Sequence, residues 1–186
     1  MSGCGVRRCP YLAHAAAAGT LLGTPERQRV LAATMLLARD LIAADGYALW
    51  QLERNPTAWR TVAASGVSDA FLRAIAPEAP DPAAPFREPV FIEDVFAAPT
   101  LANRRDDYIR EGIHSVLVVP MTIRGAATST LVFYYRQRRS LPAEDVQAGG
   151  ALGSLAAAAL TTADLYAEQQ RDKERWEFLG KASTAL

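Results

Sequence analysis

Cysteine is missing from the whole chain except its first ten residues, where Cys4 and Cys9 lie. This absence excludes a disulfide scaffold, a cysteine nucleophile in a core site and an all-cysteine iron–sulfur or zinc centre in the body of the protein. Histidine is also scarce, because only His14 and His114 are present. Cys4 and Cys9 therefore lack the further ligands of a zinc site, and we interpret them as two free thiols.

Net charge and long apolar runs are absent as well. The Lys and Arg residues number 20 and the Asp and Glu residues 20, so the formal net charge is zero, which argues against a nucleic-acid-binding surface. No run of about 18 apolar residues occurs, and the sequence therefore predicts no membrane span. The segment from Tyr11 to Leu22 is interrupted by His14 and Gly19, and it favours an ordinary helix over a signal peptide. We expect a cytoplasmic protein.

Length and composition are those of one folded domain with an extension. The chain has 186 residues, of which 50% are hydrophobic and 22% charged, and these fractions are typical of globular proteins. We divide it into a leader over residues 1–24, a domain over 25–170 and a linker helix over 171–186.

Local patterns predict an α+β domain with a mostly antiparallel sheet and long helices on one face. A first helix is expected from Glu26 to Ala44, where apolar residues recur at helical spacing. The five prolines of residues 77–89 exclude regular structure and predict a long loop, either a functional lid or surface slack. Further strands are predicted over 47–64 as a hairpin, 90–92, 115–121 and 128–135, with short helices over 69–75 and 104–111 and a long helix from 141.

Four stretches, in this order, resemble a GAF domain. Residues 89–95 (PVFIEDV) resemble its central strand, and residues 111–121 (EGIHSVLVVPM) resemble the strand in which a glycine precedes an apolar run ending in proline. Residues 141–145 (LPAED) and 163–168 (ADLYAE) are similar to the beginning and the usual end of its last helix. The resemblance covers residues 25–170. It implies a sheet of five to six strands, with the long terminal helices on one face and short helices and loops on the other.

Membership of this family implies a sensory module of a bacterial signal-transduction protein, such as a sensor histidine kinase of a two-component system. Some GAF domains bind a small molecule between the sheet and the short helices, whereas others only relay a signal through a dimer. We expect the chain to be part of a longer sensor with an output domain downstream.

The special ligands of the family can be compared with the residues present. Bilin-binding relatives need a cysteine, which the body lacks, and cyclic-nucleotide relatives carry an Asn-Lys…Phe-Asp signature that is not found here. The methionine sulfoxide reductases of the family need cysteines in the domain. Haem would need a pocket histidine, and His114 is the one candidate in the body, where a structural role is favoured. We therefore do not expect bilin, haem or a cyclic nucleotide as the ligand, and the cofactor stays unknown. We also predict no metal site and no enzymatic activity.

What remains is an apolar and aromatic pocket on the sheet face that the long helices leave uncovered. Alternation makes two residue sets in each strand, and the sequence leaves open which set faces the pocket. Small-ligand sites combine apolar walls with a few polar groups. Each candidate residue could instead pack in the core or lie in a solvated loop. The candidate ligand-binding residues are Trp50, Phe71, Phe86, Phe91, Asp94, Arg104, Tyr108, His114 and Tyr134.

The last helix continues past the domain with mixed charges and a partial heptad repeat. We predict a parallel homodimer through the first and last helices, with Leu165, Trp176 and Leu179 in the interface, because paired chains would bury these apolar side chains. Two hypotheses stand for the function: a sensor that binds a small molecule and relays the signal through its terminal helices, or a ligand-free dimerisation and relay module. A pocket packed with Trp50, Phe91 or Tyr134 would favour the second.

Overall fold

The computed structural model describes residues 25–54, 57–76, 88–123 and 126–183. Over these ranges the elements follow the predicted order, and the α+β class is confirmed. A 3₁₀ helix over Pro99–Arg104 leads into the second short helix. The elements are α1 (Pro25–Leu41), β1 (Gly46–Arg54), β2 (Thr57–Ser65), α2 (Asp69–Ile75), β3 (Val90–Ile92), α3 (Arg105–Glu111), β4 (Ser115–Ile123), β5 (Ala126–Tyr135) and α4 (Ala143–Ser183).

The short helices begin and end on local signals. The hydroxyl of Ser68 accepts a hydrogen bond from the backbone N–H of Phe71 at 3.1 Å and so caps α2. Gly112 ends α3 with φ at 72°, a left-handed conformation that favours glycine. The Glu111 carboxylate accepts hydrogen bonds from the N–H and the hydroxyl of Ser68 at 2.8 and 2.6 Å. These bonds tie the end of α3 to the beginning of α2.

The strands form one antiparallel sheet in the order β2-β1-β5-β4-β3. The register between β1 and β2 shifts at Leu49 and Trp50, so Val62 is an extra residue in β2, as in a β-bulge. Both outer strands, β2 and β3, pair on one side only within the described part of the chain.

Each face of the sheet supports its own apolar core. On one face, Leu49 and Phe133 pack with residues of α1 and α4, such as Leu31 and Leu160. On the other face, alternate residues of the same strands pack beneath the short helices. That second core contains Ala48, Trp50, Phe71, Leu72, Ile75, Val95, Tyr108, Ile113, Val116, Val132 and Tyr134. The structure therefore assigns Trp50 and Tyr134 to the short-helix face, a point that the sequence leaves open.

The last helix is continuous over 41 residues and runs through position 170 without a break. Ala167 is its last buried residue in the described part, and positions 168–176 are exposed. Within the described ranges, no helix has the length and apolar character needed to cross a membrane.

Candidate functional site

Four of the predicted site residues meet on the short-helix face. The indole N–H of Trp50 donates a hydrogen bond to the hydroxyl of Tyr134 at 3.1 Å. The ring of Phe71 lies edge-on to Tyr134 and to Tyr108, with ring centroids 5.5 and 5.4 Å apart. All four side chains are buried. We call these four residues the aromatic cluster; they lie together in the core of the face to which the sequence assigns a ligand.

Burial sets the ionisation of the two phenols in the aromatic cluster. Desolvation raises the pKa of Tyr108 to about 12 and holds the pKa of Tyr134 well above its usual value. The positive charge of Arg104 opposes this rise at both residues. Burial therefore favours the neutral phenol at both residues, and the Tyr134 hydroxyl accepts the hydrogen bond from Trp50.

Asp94 and His114 both contact Phe96, which packs against the core of the same face, and both have structural partners. The Asp94 carboxylate accepts hydrogen bonds from the N–H groups of Phe96 and Ala97 at 2.9 and 3.3 Å, which is the loop-capping role open to an aspartate in a turn. The His114 imidazole lies edge-on to the Phe96 ring at 4.9 Å between centroids. The His114 backbone donates to Tyr135 and accepts from Val95 at 2.8 and 2.9 Å.

Phe91 differs from its predicted place. Its ring contacts Tyr135 edge-on at 6.3 Å and packs against the core beneath α1 and α4. Strand alternation explains the difference, because the next residue, Ile92, takes the short-helix face. Phe86 lies outside the described residues.

A cleft opens on the short-helix face between the outer strand β2 and helix α2. Its volume is about 410 Å³. The candidate ligand-binding residues predicted from the sequence include none of its lining residues, although the aromatic Trp59 in β2 is a usable signal. The lining residues are Trp59, Arg60, Thr61, Val62, Ala63, Ala64, Asp69, Leu72, Arg73 and Ala76.

The opposite face carries an ion pair that the sequence does not indicate. Nη1 of Arg27 in α1 lies 2.6 Å from Oδ1 of Asp164 in α4, and Nη2 donates to the side chain of Gln51 in β1 at 3.2 Å. Gln51 follows Trp50 directly, so adjacent β1 residues reach the aromatic cluster on one face and the terminal helices on the other.

Comparison with known proteins identifies the family to which this fold belongs. The sequence profile of the GAF domain family matches residues 26–160. The chain belongs to the GAF domain family. GAF domains are generally sensory modules of signal-transduction proteins. At this general level, the chain is a sensory module of a signal-transduction protein. A search of curated proteins finds no match.

Solved structures share the GAF fold at low sequence identity. A domain of a two-component sensor histidine kinase protein from Sinorhizobium meliloti aligns with a TM-score of 0.66 and 20% identity, over 77% of this chain and 96% of that one. The blue-light absorbing PixJ GAF domain from Thermosynechococcus elongatus aligns with a TM-score of 0.60 and 19% identity, over 86% and 92%. A type II free methionine-R-sulfoxide reductase from Thermoplasma acidophilum aligns with a TM-score of 0.56 and 17% identity, over 74% and 94%.

The expectations about cofactor and catalysis come from the sequence alone. Because the similar structures include a light-absorbing GAF domain and a reductase, the expectations of no bilin and no enzymatic activity stay predictions. Cys4 and Cys9 lie outside the described residues. Among the described residues, no group of three or more His, Cys, Asp and Glu side chains is arranged to hold a metal ion.

Proposed function

We propose that this GAF domain relays a signal to a downstream output domain through a parallel homodimer of its terminal helices. The observation that carries the proposal is an exposed apolar stripe on α4. Leu155, Leu165, Tyr166 and Trp176 are exposed by 61, 46, 50 and 72%. At 3.6 residues per turn they fall within one arc of about 100°.

The first helix adds apolar surface of the same kind. Leu36, Leu37 and Leu41 are exposed by 48, 41 and 61%. Exposed apolar patches of this extent are typical of protein–protein contact surfaces. A second copy of the chain would cover both helices at once in a symmetric, self-complementary contact.

The length of α4 favours a relay. Its 41 residues correspond to about 60 Å of helix. The strands of nine or ten residues span about 30 Å, so α4 is about twice as long as the sheet on which it packs. Since positions 168–176 are exposed, and helices in proteins gain most of their stability from packing an apolar face, pairing with a second helix stabilises this part of α4. Leu179 lies on this helix, and its side chain is outside the described part.

Sedimentation of the full chain tests the dimer. Leu165→Glu and Trp176→Glu should each weaken dimerisation by about tenfold or more, because a charge is placed in the apolar contact. The matched control is Ile109→Glu, since Ile109 is exposed by 54% but lies on the short-helix side; it should leave the dimer unchanged. A monomeric chain, or equal effects of all three variants, contradicts the proposal.

Cross-linking tests the parallel orientation. In a Cys4→Ser, Cys9→Ser background, Trp176→Cys should form a disulfide-linked dimer on mild oxidation, because a parallel symmetric pair brings both copies of position 176 together. Ile109→Cys serves as the control and should remain unlinked. Linkage through position 109 alone contradicts the parallel arrangement.

Small-molecule sensing is a second candidate function. The aromatic cluster fills the middle of the short-helix face, and a ligand there would have to displace buried side chains. The observation that favours sensing is instead the cleft between β2 and α2, whose volume lies in the usual range for ligand sites.

A further inference from the structure

The cleft between β2 and α2 has the composition of a ligand site. Trp59 and Ala64 supply apolar surface from the strand, and Leu72 and Ala76 supply it from the helix. Leu72 lies in α2, and Ala76 caps the end of that helix by donating its N–H to the carbonyl of Leu72 at 3.2 Å, so the two residues lie one turn apart on the same side. The cleft thus has apolar walls contributed by two different elements.

One polar group in the wall has an unmet hydrogen-bonding capacity. The indole Nε1 of Trp59 is buried, and it has no hydrogen-bond partner within the described part of the chain. A buried donor without a partner is costly. An acceptor atom on a bound molecule would remove that cost.

Charge in the cleft favours an anion. The lining includes two guanidinium groups, Arg60 and Arg73, and one carboxylate, Asp69. Arginine is suited to carboxylates because its N–H groups match their two oxygens. Arg73 therefore offers a cleft-lining guanidinium to a ligand with a single negative charge.

We propose that this cleft binds a small organic carboxylate with an aromatic or aliphatic body. Its carboxylate accepts hydrogen bonds from Arg73 and from the Trp59 indole, and its apolar body packs between Ala64 and Leu72. The proposal rests on the second candidate function and names its ligand class.

The cleft is distinct from the aromatic cluster but adjoins it. Leu72 lines the cleft and also belongs to the buried core of the short-helix face. Its neighbour Phe71 contacts Tyr108 and Tyr134. A ligand that moves α2 therefore acts on Phe71, and through it on the hydrogen bond between Trp50 and Tyr134.

The experiment is a titration of the full chain followed by proton–nitrogen NMR of the three tryptophan indoles, assigned with Trp59→Phe and Trp176→Phe. The probe is naphthoate, and its uncharged analogue naphthylmethanol is the control ligand. Naphthoate should shift the Trp59 indole resonance in a saturable way, with an affinity about tenfold higher than that of naphthylmethanol. Absence of a Trp59 shift, or equal affinities for the two probes, overturns the proposal.

A pair of arginine variants locates the anion. Arg73→Gln should weaken naphthoate binding by about tenfold and leave naphthylmethanol binding unchanged. The control is Arg110→Gln, which removes an exposed arginine from α3 and should bind naphthoate as the parent does. Unchanged naphthoate binding by Arg73→Gln overturns the proposal. Sedimentation of Arg73→Gln should still give a dimer, so failure of the ligand site and failure of the relay are distinguishable.

Discussion

Arg27 and Asp164 join the first and last helices across 137 positions of sequence. Nη1 of Arg27 lies 2.6 Å from Oδ1 and 2.8 Å from Oδ2 of Asp164. The Arg27 side chain is 10% exposed and that of Asp164 27%. Because Arg27 also donates to Gln51 of β1, one guanidinium fixes the position of both terminal helices relative to the sheet. A relay through these helices would pass through this contact.

Asp164→Asn should lower the free energy of unfolding by about 2–3 kcal/mol, because it removes the negative charge that lies 2.6 Å from the buried Arg27 guanidinium. Urea denaturation measures the change. Asp172→Asn, which alters an exposed residue of the same helix, is the control and should change stability by about 0.5 kcal/mol or less. Equal effects of the two variants would show that the ion pair contributes nothing beyond a surface charge.

Tyr134→Phe should destabilise the domain by about 1–2 kcal/mol, because the buried indole N–H of Trp50 loses its acceptor. The adjacent Tyr135 provides a matched control on the opposite face. Its hydroxyl is buried without a hydrogen-bond partner in the described part of the chain, so Tyr135→Phe should be neutral or stabilising. Chemical denaturation of both variants gives the comparison, and a larger loss in Tyr135→Phe would contradict it.

Gly153→Ala should destabilise the packing of α4 on β4. A Cβ at this position would lie 2.5 Å from Cγ1 of Val119, a buried residue in the middle of the sheet. Overpacking costs about 1–3 kcal/mol, which exceeds the gain of about 1 kcal/mol from replacing glycine in a helix.

Ser154→Ala on the exposed side of the same helix is the control for this glycine. It should leave the melting temperature unchanged or raise it, because alanine has the higher helix propensity. Thermal unfolding of both variants measures the difference. A Gly153→Ala protein as stable as Ser154→Ala would show that α4 can move away from β4 without cost.

Stability should fall as the pH rises from 10 towards 12. Burial raises the pKa of the Tyr108 phenol from 10.0 to about 12, so the unfolded chain loses this proton first and is favoured by alkali. The contribution is fully present below pH 10 and declines by about 1.4 kcal/mol per pH unit within this window. Tyr108→Phe should reduce the slope by that amount in urea denaturation. An absorbance titration in which the Tyr108 phenol ionises near pH 10 would contradict the assignment.

Much of the fold could be predicted because its signals are local. The cap at Ser68, the glycine at Gly112 and the apolar run of β4 each lie within a few residues of the structure they specify. The order of these elements, together with four short stretches of sequence, was sufficient to indicate the GAF family, which the match over residues 26–160 shows.

The sequence by itself determined the elements, their order and the family, whereas only the tertiary structure decided which side chains meet. Alternation makes two equivalent residue sets in each strand. It could therefore not place Phe91 on the face covered by α1 and α4, or Trp50 on the face covered by the short helices. The ion pair of Arg27 with Asp164 and the cleft between β2 and α2 depend on how separate elements pack. No local pattern encodes such contacts, because they arise only when the two helix layers pack on the opposite faces of the sheet.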